Sequence, residues 1–324
     1  MHFLSVAILV VTAPLVACSP ASVHILDSVS VFSAALSSTT ANVRDGFAAV
    51  REAEGLGVRS QLATLVLCRE PSCPPVETTA RDRPKVTARV FDRLFLLLGA
   101  LAGYGEMLQA MAGGETEVKA SAYAAASGRQ LNTALDAVDA LSPTDVTDFS
   151  RDVMTSAAKS ARSLGSFLEQ EAVSNDLPAT VAAMHPHIEA LALYLINAIG
   201  SSTPVPEPGA ADRQTHGLRG ILVRQQQRIE NASARFLNSL RQDRKISDAE
   251  LVKLTFRTYD HGVGRIIRTD FALAETQFLL RQMVEAHAAL RNPAAPATLA
   301  AVQTFRFLAQ RTTAAFANLE MEQR

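Results

Sequence analysis

Apolar residues recur at intervals of three, four or seven near the start of the chain, and this spacing restricts the possible fold most strongly. The stripe consists of Val29, Phe32, Leu36, Val43, Phe47 and Val50. Residues at these intervals share one side of an α-helix, and a narrow apolar stripe packs against another helix. A helix from about residue 23 to 70 would be roughly 70 Å long at 1.5 Å per residue. The pattern therefore predicts an elongated bundle of helices.

The rest of the chain is also typical of helices. Alanine is abundant, tryptophan is absent, and no segment shows the sustained apolar–polar alternation of a strand. Capping residues, prolines and glycines predict helices at about 85–112, 116–141, from Ser142-Pro143, from Asp176-Leu177-Pro178, at 213–243, from the capping box at Ser247 to Glu250, and at 297–320. The predicted fold class is all-α, an elongated antiparallel bundle with long amphipathic helices.

A proline-rich segment, Gly200 to Asp212, is the strongest linker signal, because its three prolines favour an extended path. It separates a predicted N-terminal helical bundle (18–200) from a three-helix C-terminal segment (213–324), with the linker itself at 201–212. The linker either joins two subdomains or connects helices within one bundle, and the sequence leaves both possibilities open.

The first residues indicate an exported chain. MHFLSVAILVVTAPLVA contains no Lys, Arg, Asp or Glu and is too short to span a bilayer as a helix, so it suits the apolar core of a secretory signal. Leu15-Val16-Ala17-Cys18 resembles the lipobox of bacterial lipoproteins. This resemblance covers about the first 20 residues. The alternatives are a cleaved signal with an incidental cysteine and a chain that is not exported.

The lipoprotein resemblance implies a removed signal peptide at residues 1–17 and acyl chains, including palmitate, on Cys18. Several chains together give stable membrane attachment, which a single chain does not. In that family an Asp after the cysteine tends to retain the protein in the inner membrane, and this chain has Ser19. We therefore expect a lipid anchor in the outer membrane, with the protein facing the periplasm.

The other two cysteines, Cys68 and Cys73, lie close together in LVLCREPSCPPVE. An odd number of cysteines in an exported chain leaves one to explain, and lipidation would use Cys18. A disulfide between Cys68 and Cys73 is therefore predicted for an oxidising compartment. Two free thiols in a loop are the alternative. Two cysteines alone are too few for a zinc site.

Charge is distributed unevenly along a chain whose formal net charge is −1. Residues 130–190 hold nine acids against three bases, and residues 213–268 hold twelve bases against five acids. The two regions either face each other or are solvated, or the basic helix presents a face to anionic lipid or an acidic partner. The arginines of that candidate face are Arg219, Arg224, Arg228, Arg235 and Arg241.

Catalytic and cofactor motifs are missing from the sequence. There is no nucleophile elbow, zinc-helix motif or P-loop, and we predict neither enzyme activity nor a cofactor. His185 and His187 in Met184-His185-Pro186-His187 are weak metal candidates only, because residues two apart on a helix face different ways. The most apolar mature segment, Leu94 to Gly105, predicts a buried central helix, with membrane insertion as the alternative.

These features predict a lipid-anchored scaffold or adaptor of the cell envelope that binds a protein partner. A helical carrier or sensor for a small apolar or metal ligand is the alternative, and a membrane-active helical protein is a third possibility. Nucleic acid is an unfavourable partner, because the chain is predicted to be exported and is not basic overall.

Overall fold

A computed structural model describes residues 20–67, 88–113, 176–205, 214–242 and 259–321, together with several residues between 122 and 129 and between 247 and 257. The elements are α1 (Pro20–Leu67), α2 (Ala88–Ala112), α3 (Leu177–Ile199), β1 (Ser201–Val205), β2 (Gln214–His216), α4 (Gly217–Gln242), α5 (Arg265–Ala289) and α6 (Pro296–Met321). One π-helical turn, Tyr259–Gly264, leads into α5. The described part is helical apart from one small hairpin, which confirms the all-α prediction.

Among the described elements, α1 is the longest, with 48 residues, and it packs against four other helices. All six residues of the predicted stripe are at most 2% exposed. Full burial of an apolar side chain of this size contributes about 1.5–3 kcal/mol. The helix is therefore held by packing along one side, as the spacing of its apolar residues predicts.

Helix α5 runs antiparallel to α1. The Arg265 guanidinium pairs with the Glu52 carboxylate near one end of the contact. Near the other end, the rings of Phe32 and His287 are 5.8 Å apart between centroids. Residue numbers thus rise along one helix as they fall along the other.

Helix α6 runs parallel to α1. The rings of Phe32 and Phe305 lie 5.6 Å apart between centroids. Further along both helices, the Asn42 side-chain amide donates to the carbonyl of Ala309 at 3.0 Å. This buried hydrogen bond satisfies a polar group in an otherwise apolar interface.

The first residues of the proline-rich segment form β1, and the residues just after the segment form β2. The two strands pair antiparallel in a hairpin, with Ser201 opposite His216. Residues 206–213 lie outside the described residues. Gly217 follows β2 with φ 67°, and an added Cβ would lie 2.6 Å from the carbonyl oxygen of Ala198. A glycine is therefore required where the chain turns into α4.

One hydrophobic core contains side chains from both sides of the linker, including Leu36, Leu195, Leu222, Leu280 and Phe305. Helix α1 packs against α2, α4, α5 and α6. The C-terminal helices therefore pack directly on the N-terminal ones.

The structure contains the helix caps that the sequence predicts at Asp176 and at Ser247. The Asp176 carboxylate accepts from the backbone N–H of Ala179 at 3.3 Å and caps α3. Ser247 and Glu250 form the reciprocal bonds of a capping box. The helices predicted at 116–141 and from Ser142 fall largely outside the described residues.

The apolar segment Leu94 to Gly105 belongs to α2, and its Leu98, Leu101 and Tyr104 side chains are buried in the bundle. Among the described residues, α3 is the helix long and apolar enough to cross a membrane. Twelve residues of α3 are buried against other helices, so its composition also suits a core helix of the bundle.

Candidate functional site

The three cysteines, Cys18, Cys68 and Cys73, lie outside the described residues. The predicted lipidation and the predicted disulfide therefore stay predictions. Helix α1 begins at Pro20, two residues after Cys18. An anchored Cys18 would lead almost directly into the longest helix of the bundle.

The five candidate arginines of α4 do not lie on one face. Arg224, Arg228 and Arg235 share one side, because their spacing of four and seven residues brings them back to the same direction on a helix. Arg219 points elsewhere, and the side chain of Arg241 is outside the described part. A basic face on α4 would therefore consist of three of the predicted arginines.

Arg219 has a structural partner. Its guanidinium donates to both carboxylate oxygens of Asp270, at 2.8 and 3.0 Å. It also donates to the hydroxyl of Ser202 at 2.9 Å, and Ser202 donates to Asp270 at 3.0 Å. This network joins β1, α4 and α5, so Arg219 holds the hairpin against the bundle.

The two weak metal candidates, His185 and His187, are both partly buried on α3. No three His, Cys, Asp or Glu side chains of the described residues are arranged to hold a metal ion. The Nδ1 atom of His185 lies 3.1 Å from Nδ1 of His287 instead. His185 is thus one member of a hydrogen-bonded chain of side chains.

This chain of side chains, which we call the histidine relay, consists of Tyr104 on α2, His287 on α5 and His185 on α3. The Tyr104 hydroxyl lies 2.8 Å from Nε2 of His287. His287 and Tyr104 are fully buried, whereas His185 is partly exposed. The relay therefore connects solvent at α3 with a phenol in the interior.

Burial dominates the electrostatics of the relay. Burial, assisted by the charges of His185 and Arg291, lowers the pKa of His287 to about 3. Burial and Arg291 also lower the pKa of His185, and the carboxylate of Glu189 opposes that shift. Burial raises the pKa of Tyr104 well above its usual value. All three side chains are therefore neutral near pH 7.

The outer surface carries a second feature, which we call the aromatic patch, formed by Phe271 and Phe278 on α5 and Phe307 on α6. Their exposed fractions are 63%, 45% and 61%. A single exposed apolar side chain is ordinary, but adjacent ones mark contact surfaces. The aromatic patch is thus a candidate interaction site.

An ion pair between Glu275 and Arg311 lies within the aromatic patch and joins α5 to α6. Phe271 precedes Glu275 by four residues and Phe278 follows it by three, while Phe307 precedes Arg311 by four. Residues three or four apart are neighbours on a helix surface. Phe271 and Phe278 therefore lie within about one turn of Glu275 on α5, and Phe307 lies about one turn from Arg311 on α6, where the ion pair joins the two helices.

Neither the histidine relay nor the aromatic patch is predicted from the sequence. His287 occupies a buried position among Leu280, Met283 and Leu290, at intervals of three and four, and a histidine in such a stripe is a detectable signal. The aromatic patch depends on which side of α5 faces the core. Its residues could not be separated from core residues by composition alone.

No protein-family model matches this chain, and no curated protein or solved structure matches it either.

Proposed function

We propose that this protein is a lipid-anchored adaptor of the cell envelope whose aromatic patch docks a helical segment of a protein partner. The observation that carries the proposal is the cluster of three exposed phenylalanines around the Glu275–Arg311 ion pair. Aromatic residues and arginine are enriched at the centres of protein interfaces.

The size of the patch favours one helix of a partner over a second copy of the whole chain. With about 200 Å² for each phenylalanine side chain, the exposed rings provide roughly 350 Å² of apolar surface. A stable dimer needs about 800 Å² on each partner. An amphipathic helix anchors through a few apolar residues at i, i+3, i+4 and i+7, which matches a groove between two helices.

The position of the patch favours a protein over the membrane surface. Leu273 of α5 contacts α1 at Gly46, which lies 26 residues after Pro20. The rise of an α-helix places that level about 39 Å along α1 from its start. A lipid-bound Cys18 would thus leave the patch well separated from the anchor along the helix axis.

A photocrosslinking amino acid placed at 271, 278 or 307 in cells tests this proposal. We expect all three positions to give an adduct of the same mass. Ala182 and Ala183, exposed on α3, provide control positions that should not give this adduct. Phe271→Ser combined with Phe278→Ser should reduce the adduct formed at 307 at least tenfold. Equal adducts at patch and control positions, or none at the patch, would contradict the proposal.

A further inference from the structure

The hydrogens of the histidine relay can be assigned from the requirement that buried donors have acceptors. The buried Tyr104 hydroxyl needs an acceptor, and Nε2 of His287 lies 2.8 Å away. Nε2 then carries no hydrogen, so neutral His287 carries it on Nδ1. That N–H donates to Nδ1 of His185 at 3.1 Å, and His185 holds its own hydrogen on Nε2.

This arrangement requires that Nδ1 of His185 carries no hydrogen and can accept a hydrogen bond. When His185 takes up a proton, Nδ1 becomes a donor and faces the N–H of His287. His287 can restore that bond only by moving its hydrogen to Nε2, where it meets the hydroxyl of Tyr104. The hydrogen of the buried phenol then loses its acceptor, and an unsatisfied buried polar group destabilises the structure around it.

In the part of the chain that the structure describes, no carboxylate raises the pKa of His287. Phe32 of α1 contacts its ring, and Phe305 of α6 packs against Phe32. The His287 ring also contacts the ring of His185 on α3 and the ring of Tyr104 on α2. Arg291, after the end of α5, disfavours protonation of both histidines, while Glu189 favours it at His185 only. A proton therefore enters at His185, the member nearest solvent.

We propose that the histidine relay is a proton-triggered joint, in which protonation of His185 reverses the hydrogen bond between Tyr104 and His287, leaves the hydrogen of the buried phenol without an acceptor, and so weakens the contact of Tyr104 on α2 with His287 on α5. The trigger is on α3, and the affected contact lies two side chains away. This inference does not depend on the proposed adaptor function. It assigns an acid-sensitive motion to a bundle whose predicted compartment is exposed to the pH outside the cytoplasm.

Hydrogen exchange of the full chain at pH 7.5, 6 and 5 tests the joint, with circular dichroism to verify the fold. We expect protection factors in residues 101–112 of α2 to fall by up to tenfold per pH unit once His185 titrates, because one proton is linked to opening. His185→Gln, which stays neutral, should abolish this dependence. His187→Gln, two residues along α3, should retain it.

Tyr104→Phe provides a second variant, since it removes the buried hydroxyl and should flatten the pH dependence of α2 while keeping the ring. Nitrogen-15 spectra at pH 7.5 should show His287 with its hydrogen on Nδ1 and His185 with its hydrogen on Nε2. Protection in α2 that is equal at pH 7.5 and 5, or a fall that persists in His185→Gln, would overturn the proposal. The opposite tautomers would do so as well.

Discussion

Gly46 and Gly55 lie nine residues apart on α1, yet their surroundings differ. A Cβ at Gly46 would lie 2.8 Å from Cδ2 of Leu273 and 3.2 Å from the ring of Phe316. A Cβ at Gly55 meets nothing within 4 Å. Gly46 is therefore the position where α5 and α6 approach α1 closely.

We expect Gly46→Ala to lower the free energy of unfolding by about 1–3 kcal/mol, because overpacking displaces neighbouring side chains. Gly55→Ala should raise it by up to about 1 kcal/mol, since alanine is the better helix former. Urea denaturation measures both. Similar effects of the two substitutions would contradict the close packing at Gly46.

Stability should also depend on pH through His287. Its pKa is about 3 in the folded chain, against about 6.5 unfolded, so the unfolded chain binds the additional proton between these values. The contribution of His287 to the free energy of unfolding is fully present above pH 6.5. It decreases by about 1.4 kcal/mol per pH unit as the pH falls towards 3.

Denaturation of the wild type and of His287→Gln between pH 7.5 and 4 measures this contribution. The variant should be less stable at pH 7.5, and its stability should fall less steeply with decreasing pH. Parallel curves for the two proteins would show that His287 does not titrate on unfolding as the burial of its ring requires.

Among the elements, the β1–β2 hairpin depends on one ion pair. Arg219 and Asp270 have side-chain exposures of 17% and 25%, and Asp270 also accepts from Ser202. Asp270→Ala would leave a largely buried guanidinium without its carboxylate, and we expect a loss of about 2–3 kcal/mol, somewhat below the cost for a fully buried pair.

Arg311→Ala is the matched control, because the Arg311 side chain is 49% exposed against 17% for Arg219, and its pair with Glu275 joins the same α5 helix to α6. Exposed ion pairs contribute about 0–1 kcal/mol. Thermal denaturation of both variants compares them. A loss in Asp270→Ala no larger than in Arg311→Ala would mean that the hairpin is held by other contacts.

The elements also show how far the sequence determines this fold. Asp176, the Ser247–Glu250 box and the apolar stripe of α1 act through neighbours on the same helix, so local rules predicted them correctly. The hairpin was not predicted, because its proline-rich sequence favours an extended path and its anchor Asp270 lies 51 residues after Arg219. The relay joins residues separated by 102 and 183 positions, which no local pattern encodes.

At the scale of the whole molecule, the core extends across the proline-rich linker. Helix α1 packs on α4, α5 and α6, which all follow that linker. Elements that share one core unfold together. We therefore expect a single cooperative calorimetric transition, with equal calorimetric and van't Hoff enthalpies. Two resolved transitions, or independent folding of residues 213–324, would indicate separate subdomains.

We propose that a lipid on Cys18 holds this bundle at the envelope membrane, and mass spectrometry of the N-terminal peptide from membrane-extracted protein can detect that lipid. We expect a chain beginning at Cys18 with acyl chains on its sulfur and amine, together with palmitate incorporation that Cys18→Ala abolishes. A peptide that still joins Ala17 to an unmodified Cys18, from protein in the soluble fraction, would contradict it.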